Sequence, residues 1–371
     1  MLLPGKLEGI GRFTYEVVRR LAAHHPDDHF YLLFDRVVDW PELEFDNVTP
    51  VVLGPQARHP VLFWWWFEQS VGPFLNRIHP DVFFSPDGYL SLRATCPQLA
   101  VMHDLNFLHH PEYVPWLVGK YYNHFFPRFA QKATRIATVS HYSASDISAS
   151  YSIAPCLIDV VGNGVNEHFT HVAESDRTQV RARFSNGLPY FLFVGSLHPR
   201  KNLEGLLSAF ALFRAQHPSP VKLIVAGATY FLPASTKAMM ERHPYKQDVV
   251  FTGRVSEEDL ALLMGSALAL TYFPHFEGFG IPILEAFACG TPVACSNTTS
   301  MPEVAGDGAL LANPKDPQDM AVCMQRLASD SSLRTRLIEA GTLRLQHYHW
   351  DLTAEAVYRS LLLTAKTQPH A

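Results

Sequence analysis

The chain has 371 residues, 47% hydrophobic and 18% charged, which gives enough apolar side chains for two full cores and too many for disorder. A net charge of −5 and a pI near 6.4 have the wrong sign for a polyanion-binding surface, which argues against nucleic acid as a partner. The five cysteines, Cys96, Cys156, Cys289, Cys295 and Cys323, are odd in number, dispersed and free of any C-x-x-C pair, so neither a disulfide framework nor a structural zinc site is predicted and a reducing compartment is expected.

In the first half, apolar runs at 30–34, 48–53, 82–85, 98–103, 135–140 and 158–161 read as strands, with helical patterns at 12–23, 61–77 and 120–132 between them. In the second half, strands read at 190–194, 222–226, 249–252, 267–271 and 292–296, and helices at 203–216, 257–264, 282–289 and 317–329. Strand and helix alternating at this spacing predict βαβ units, a mainly parallel sheet and helices on both faces. The alternation pauses at 161–189, which opens on an Asn-Gly turn, carries a short charged helix and closes on a second Asn-Gly. This segment is the expected linker between two α/β domains.

No stretch approaches the ~18 apolar residues needed to span a bilayer. The most apolar run, 61–67, ends at Glu68 and Gln69. Its Phe63-Trp64-Trp65-Trp66-Phe67 core has helical spacing and reads as core or domain-face packing, with membrane or sugar stacking as the alternative. The N-terminus lacks the basic region, apolar core and cleavage site of a signal peptide. The expected location is cytoplasmic, with peripheral contact at the inner face of a membrane left open.

The most informative block runs from His275 to Gly290. A strand ends before it, Gly278 and Gly280 let the backbone approach a ligand, Pro282 suits a first helical turn, and Gly290 suits a left-handed C-cap. Glu277 and Glu285 stand near one helix N-terminus in an otherwise apolar stretch, where packing needs neither. Free N–H groups there favour a phosphate or sugar oxygen. A second strand-turn-helix block holds Gly195, Ser196, Arg200 and Lys201. Cations at a helix N-terminus oppose the dipole, and an anionic ligand such as a diphosphate reverses that penalty. Ligands of open α/β sheets bind beyond the carboxyl ends of strands, where both loops fall. In the first half, His103-Asp104 sits where a strand meets its loop, and Gly9-Ile10-Gly11 opens a helix. Both are weaker signals, with a structural imidazole and a simple turn as the competing readings. The sequence holds no Asp-x-Asp, P-loop Lys-Ser/Thr, His-Glu-x-x-His or Gly-x-Ser-x-Gly, and no metal site is expected.

These blocks, with Cys289 to Val293, Ser300 to Gly306, Phe251 to Val255, Val139 to Ser143, Asn163 to Val165 and His103 to Leu105, resemble family 4 glycosyltransferases in order along nearly the whole chain. Such enzymes are retaining, nucleotide-sugar-dependent and of the GT-B fold, with two Rossmann-like doubly wound parallel-sheet domains facing each other across a cleft. The resemblance implies an N-terminal acceptor domain over 1–168, completed by a C-terminal helix at 351–371, and a nucleotide-sugar-binding domain over 169–350. It assigns catalytic roles to Glu277, His103, Arg200 and Lys201, and donor contacts to Glu285, Gly278, Phe279, Gly280, Arg254, Val255, Gly195, Gly9 and Gly11. The donor is then an NDP-sugar acting as substrate rather than cofactor, with mannose from GDP-mannose the expected hexose. The acceptor is a polysaccharide or lipid-linked glycan. Two departures stand out: Ser196 occupies a position where many relatives carry Arg, and only Met1-Leu2-Leu3 precede Pro4, so the first strand of the family is expected to be missing. That shortening makes a non-catalytic nucleotide-sugar-binding protein the alternative. A Rossmann dehydrogenase is a third reading, weakened because no Gly-x-Gly-x-x-Gly follows a strand with an acid ~20 residues on.

Overall fold

The computed structural model describes residues 9–38, 40–57, 59–228 and 234–367. The expectation about Met1 to Leu3, and the last four residues of the expected C-terminal helix, lie outside these. The chain divides into two compact units: the first ends at Asn163 and resumes from Trp350, and the second runs Gly164–His349. The division falls between Asn163 and Gly164, just after Gly162 in left-handed backbone (φ 71°), a few residues before the expected boundary.

The first unit contains α1 (Ile10–His24), β1 (Phe30–Phe34), β2 (Val48–Val52), α2 (Pro60–Trp65), α3 (Gly72–Ile78), β3 (Phe83–Ser85), β4 (Gln98–Val101), α4 (Asn106–His109), α5 (Trp116–Lys132), β5 (Arg135–Thr138), α6 (His141–Tyr151) and β6 (Ile158–Val160). The second contains α7 (Glu174–Ser185), β7 (Tyr190–Val194), α8 (Leu203–Gln216), β8 (Lys222–Ala226), α9 (Ala234–Arg242), β9 (Val249–Gly253), α10 (Glu257–Ser266), β10 (Ala269–Tyr272), α11 (Ile281–Ala288), β11 (Val293–Ser296), α12 (Met301–Ala305), β12 (Ala309–Ala312), α13 (Pro317–Ser329) and α14 (Ser331–Leu345). The last helix, α15 (Trp350–Lys366), returns to the first unit. Its start is buried as Trp350 packs edge-on to Phe13, and Arg20 of α1 donates to Asp351 at 2.7 Å.

Every strand pair is parallel, so the βαβ expectation holds in both units. The described strands of the second unit form one six-stranded sheet in the order β12-β11-β10-β7-β8-β9. Its middle strands β7, β8 and β10 are buried at every position, so they read as continuous apolar runs. Helices α8 and α13 cover one face, where Phe191, Phe193, Phe210 and Phe213 fill the core. In the first unit the described strands fall into two blocks, β1-β2 and β3-β4-β5-β6.

The helix expected over 61–77 is α2 and α3 joined through a π-helical stretch, Trp66–Val71. Pro73 has no N–H to donate, so the regular ladder is broken there. Gly72 beside it packs closely on Ser91: an added Cβ would stand 2.6 Å from Ser91 Oγ, which would have to shift. Helix α5 begins at Trp116, a turn earlier than expected, directly after Pro115. β12, α6 and α14 carry no assignment in the sequence reading. All five cysteines are free thiols.

Candidate active site

The second unit gathers its polar residues beyond the carboxyl ends of β7, β8 and β10. Gly195 leaves β7 at φ 138°, and a Cβ on Gly227 would lie 1.8 Å from the Gly195 carbonyl oxygen. The chain segments leaving β7 and β8 therefore touch backbone to backbone, which only glycine at 227 permits. Gly195 N–H donates to Ala226 at 3.0 Å and Gly227 N–H to Gly253 at 2.9 Å, which holds both exits in place. The stem of Lys201 lies against Gly195.

After Gly195 the chain makes a short 3-10 turn at Pro199–Lys201 and enters α8 through Asn202, a left-handed residue at φ 60°. Asn202 accepts from Gly205 N–H as the helix cap, and its amide donates to Phe273 O at 2.9 Å and Pro314 O at 2.7 Å. His275 N–H donates to Arg200 O at 2.8 Å. These bonds staple the 195–202 loop to the loop that follows β10.

Glu277 lies in that second loop, 8% exposed, with its Oε1 accepting from Arg200 Nη1, Lys201 Nζ and, at 3.0 Å, the Tyr272 hydroxyl. Lys201 Nζ also donates to the Tyr272 hydroxyl at 2.6 Å. Burial is the largest influence on the Glu277 carboxyl and pushes it up. The two cations and the hydrogen bonds from Lys201 and Tyr272 overcome this and bring it down to about 2. Burial, then the Glu277 charge, pushes the Tyr272 phenol well above its ordinary range, so it stays a neutral donor. A buried carboxylate with two cations and one hydroxyl on a single oxygen is fully ionised and rigidly aimed.

Gly278, Phe279 and Gly280 carry the loop into α11. Ser300 Oγ donates to Glu277 O at 2.9 Å and to Phe279 O at 3.1 Å, and Phe279 packs edge-on to Tyr348. Gly280 is left-handed at φ 102°, and a Cβ there would stand 2.5 Å from Met301 Cε. Glu285 is half-buried one turn inside α11, near enough for its charge to act on Tyr272. Gly253 (φ 69°) ends β9, leaving Arg254 exposed and Val255 half-buried. Of the expected site residues, the structure joins Glu277, Arg200 and Lys201 directly and sets Gly195, Gly278, Phe279 and Gly280 in the loops that carry them.

The remaining expected residues lie in the first unit. His103 is half-buried, its Nε2 2.9 Å from Pro86 O and its ring edge-on to Phe13. Burial lowers its pKa, which the Pro86 contact only partly opposes, so the imidazole is neutral near pH 7. Gly9 (φ 48°) precedes α1, and Gly11 is buried in its first turn. Sequence reasoning missed Tyr272, Asn202 and Ser300. Tyr272 ends an apolar run and looks like a core residue, while an Asn before a helix is a cap signal that says nothing of its second set of bonds. Among the described residues, no group of three or more His, Cys, Asp or Glu is placed to hold a metal ion.

The profile described as Glycosyltransferase Family 4 matches residues 7–169, and that described as Glycosyl transferases group 1 matches 175–344. The fold and site thus define a sugar-transferring enzyme with two Rossmann-like lobes. The chain belongs to the GT-B glycosyltransferases of the group those two profiles describe. It is 27% identical over 356 residues to the O-antigen chain mannosyltransferase B of Escherichia coli, covering 93% of each chain. It is 30% identical over 219 residues to the O-antigen chain mannosyltransferase RfbU of Salmonella typhimurium, covering 59% of this chain and 57% of that protein. It is 26% identical to the serotype-specific mannosyltransferase WbdA of Escherichia coli, spanning 28% of that longer protein. In three dimensions it is similar to Anabaena Alr3699/HepE in complex with UDP and glucose (TM-score 0.76, 17% identity, 96% of this chain and 97% of that one). A glycosyltransferase from Rickettsia africae gives a TM-score of 0.74 at 16% identity, covering 99% and 98%.

Proposed function

We propose that the enzyme is a retaining hexosyltransferase that moves mannose from GDP-mannose to a polysaccharide or lipid-linked glycan. The observation that carries this reading is the Arg200–Lys201–Glu277 cluster beside Gly195, at the carboxyl ends of the central strands. The names of the O-antigen mannosyltransferases it resembles support the sugar and the acceptor class. Breaking the sugar–phosphate bond builds an oxocarbenium-like carbon and a diphosphate anion. Arg200 and Lys201 offset the anion. The bond from the anomeric carbon to the diphosphate oxygen breaks as the acceptor oxygen bonds the same face. The acceptor's hydroxyl proton passes to the departing phosphate oxygen. Glu277 holds sugar hydroxyls and forms no covalent bond, Glu285 binds the donor ribose, and Arg254 with Val255 lines the base. His103, Gly9 and Gly11 are the residues of the first unit read as donor contacts.

The test is nucleotide release from a panel of NDP-sugars, followed by NMR assignment of the product anomer. GDP-mannose is expected to turn over fastest, with the α configuration kept. No release from any donor returns the chain to the non-catalytic reading, and an inverted product or a trapped glycosyl-enzyme overturns the mechanism.

We further infer that the first unit rests on a membrane surface. No described helix is long and apolar enough to cross one. Yet Val61, Leu62, Trp65, Trp116 and Leu117 are exposed, Trp116 by 71%, on α2 and the start of α5, whose Phe63 and Tyr121 rings meet. Lys120 lies over the Trp116 ring at 4.0 Å. Amphipathic aromatics beside a cation suit an anionic interface. Flotation with vesicles containing anionic lipid is expected to carry the protein and to fail for Trp65→Ser/Trp116→Ser.

A further inference from the structure

The two cations that would meet a diphosphate are already engaged. Arg200 and Lys201 both donate to Oε1 of Glu277, whose side chain is 10% exposed, and the Lys201 side chain is 11% exposed. A diphosphate reaching them would have to compete with that carboxylate. The same oxygen has a third partner that carries no charge, the Tyr272 hydroxyl, which donates to it at 3.0 Å and accepts from Lys201 at 2.6 Å. Tyr272 is fully buried at the end of β10, and its ring lies under Lys201 Nζ. It cannot turn toward a ligand, because its ring is part of the sheet's packed face.

We propose that Glu277 is the resident anion of the diphosphate site and that Tyr272 is the positioning residue that keeps it in place when Arg200 and Lys201 turn to the incoming diphosphate. The inference rests on the reading of these cations as the diphosphate grip and adds what happens to their present partner. Without ligand, Glu277 neutralises two cations held at the edge of a buried site. With ligand, the cations transfer to phosphate oxygens, and Glu277 would be a buried carboxylate short of donors were Tyr272 not there. The carboxylate so retained is then free to accept from hydroxyls of the transferred sugar. The exchange makes diphosphate affinity depend on two neighbouring side chains with opposite sign.

The test is calorimetric titration of the whole chain with GDP, UDP and inorganic pyrophosphate, none of which requires an acceptor or turnover. Glu277→Gln removes the competing charge, and binding of at least one of the three probes is expected to tighten about tenfold. Glu277→Asp keeps the charge but withdraws it by one methylene and is expected to tighten binding in the same direction. It therefore stands in should the glutamine variant fail to fold. Tyr272→Phe leaves the displaced carboxylate without its neutral donor and is expected to weaken binding roughly three- to tenfold. A general loss of site structure would weaken all three variants alike, and that result, or unchanged affinity in the Glu277 variants, overturns the proposal. Tight probe binding by wild type with no NDP-sugar turnover would sink the transferase reading while leaving the exchange standing. Binding of no probe by any form sinks both.

Discussion

The two units share a fold class and differ in how their described strands are joined. In the second, six parallel strands run without interruption, and β7, β8 and β10 expose nothing. The site hangs from the ends of those strands, so its loops inherit the rigidity of the best-packed part of the molecule. In the first, the described strands form a pair and a group of four, every residue of β1 and β2 is at least partly exposed, and apolar rings stay on the outside. Where charges must be held in one geometry, the chain uses a continuous buried sheet. In the first unit, Val61, Leu62, Trp65, Trp116 and Leu117 of α2 and α5 are left exposed.

The sharpest way to break this contrast is to remove a charge from the preorganised side. Lys201→Ala is expected to lower donor turnover by about 10³-fold with little loss of melting temperature, since its ammonium serves an anion rather than the core. A fall in turnover matched by unfolding would mean the cation is structural. Native-state hydrogen exchange reads the contrast directly. Amides of β1 and β2, in a half-exposed two-stranded block, should exchange on the order of 10²-fold faster than those of β7 and β8. Equal protection would erase the distinction between the units. Gly227→Ala drives a methyl into the Gly195 carbonyl and should cost about 1–3 kcal/mol in denaturant unfolding while also weakening nucleotide binding.

The smallest expected effect sharpens the contrast from the other side. Asp159 of β6 accepts from Arg135 at 2.6 Å and 2.8 Å and from Ser360 of α15 at 2.5 Å, tying the last helix to the first unit. Burial, the largest influence, raises its carboxyl, but the bonds from Arg135 and Ser360 leave it below the usual range. A carboxylate depressed in the folded state stabilises above its unfolded pKa, and that contribution is lost as pH falls through the folded value. Asp159→Asn should therefore cost about 1 kcal/mol at neutral pH, with the gap to wild type closing below about pH 4 in thermal melts. A gap that persists at low pH would assign the cost to packing instead.

The sequence by itself determined the parallel α/β architecture, because apolar runs buried on both faces and helical spacing between them need no distant partner to be recognised. It also determined the two loops that carry Gly195, Arg200, Lys201, Glu277 and Gly278 to Gly280, whose glycine, proline and charge punctuation is local. The π-helical stretch at Trp66–Val71 escaped, since the apolar spacing of a helix is the same on either side of one shifted hydrogen-bond register. β12 escaped because a short run of Ala and Leu suits strand and helix alike. Only the tertiary structure decided that Glu277 meets both cations through a single oxygen, and that Tyr272, seemingly a core aromatic, is the hydroxyl between them. The division at Asn163 and Gly164 was likewise settled in three dimensions. Each of these depends on segments far apart in the chain converging at one point, and no local spacing encodes where a loop from one strand will meet the end of another.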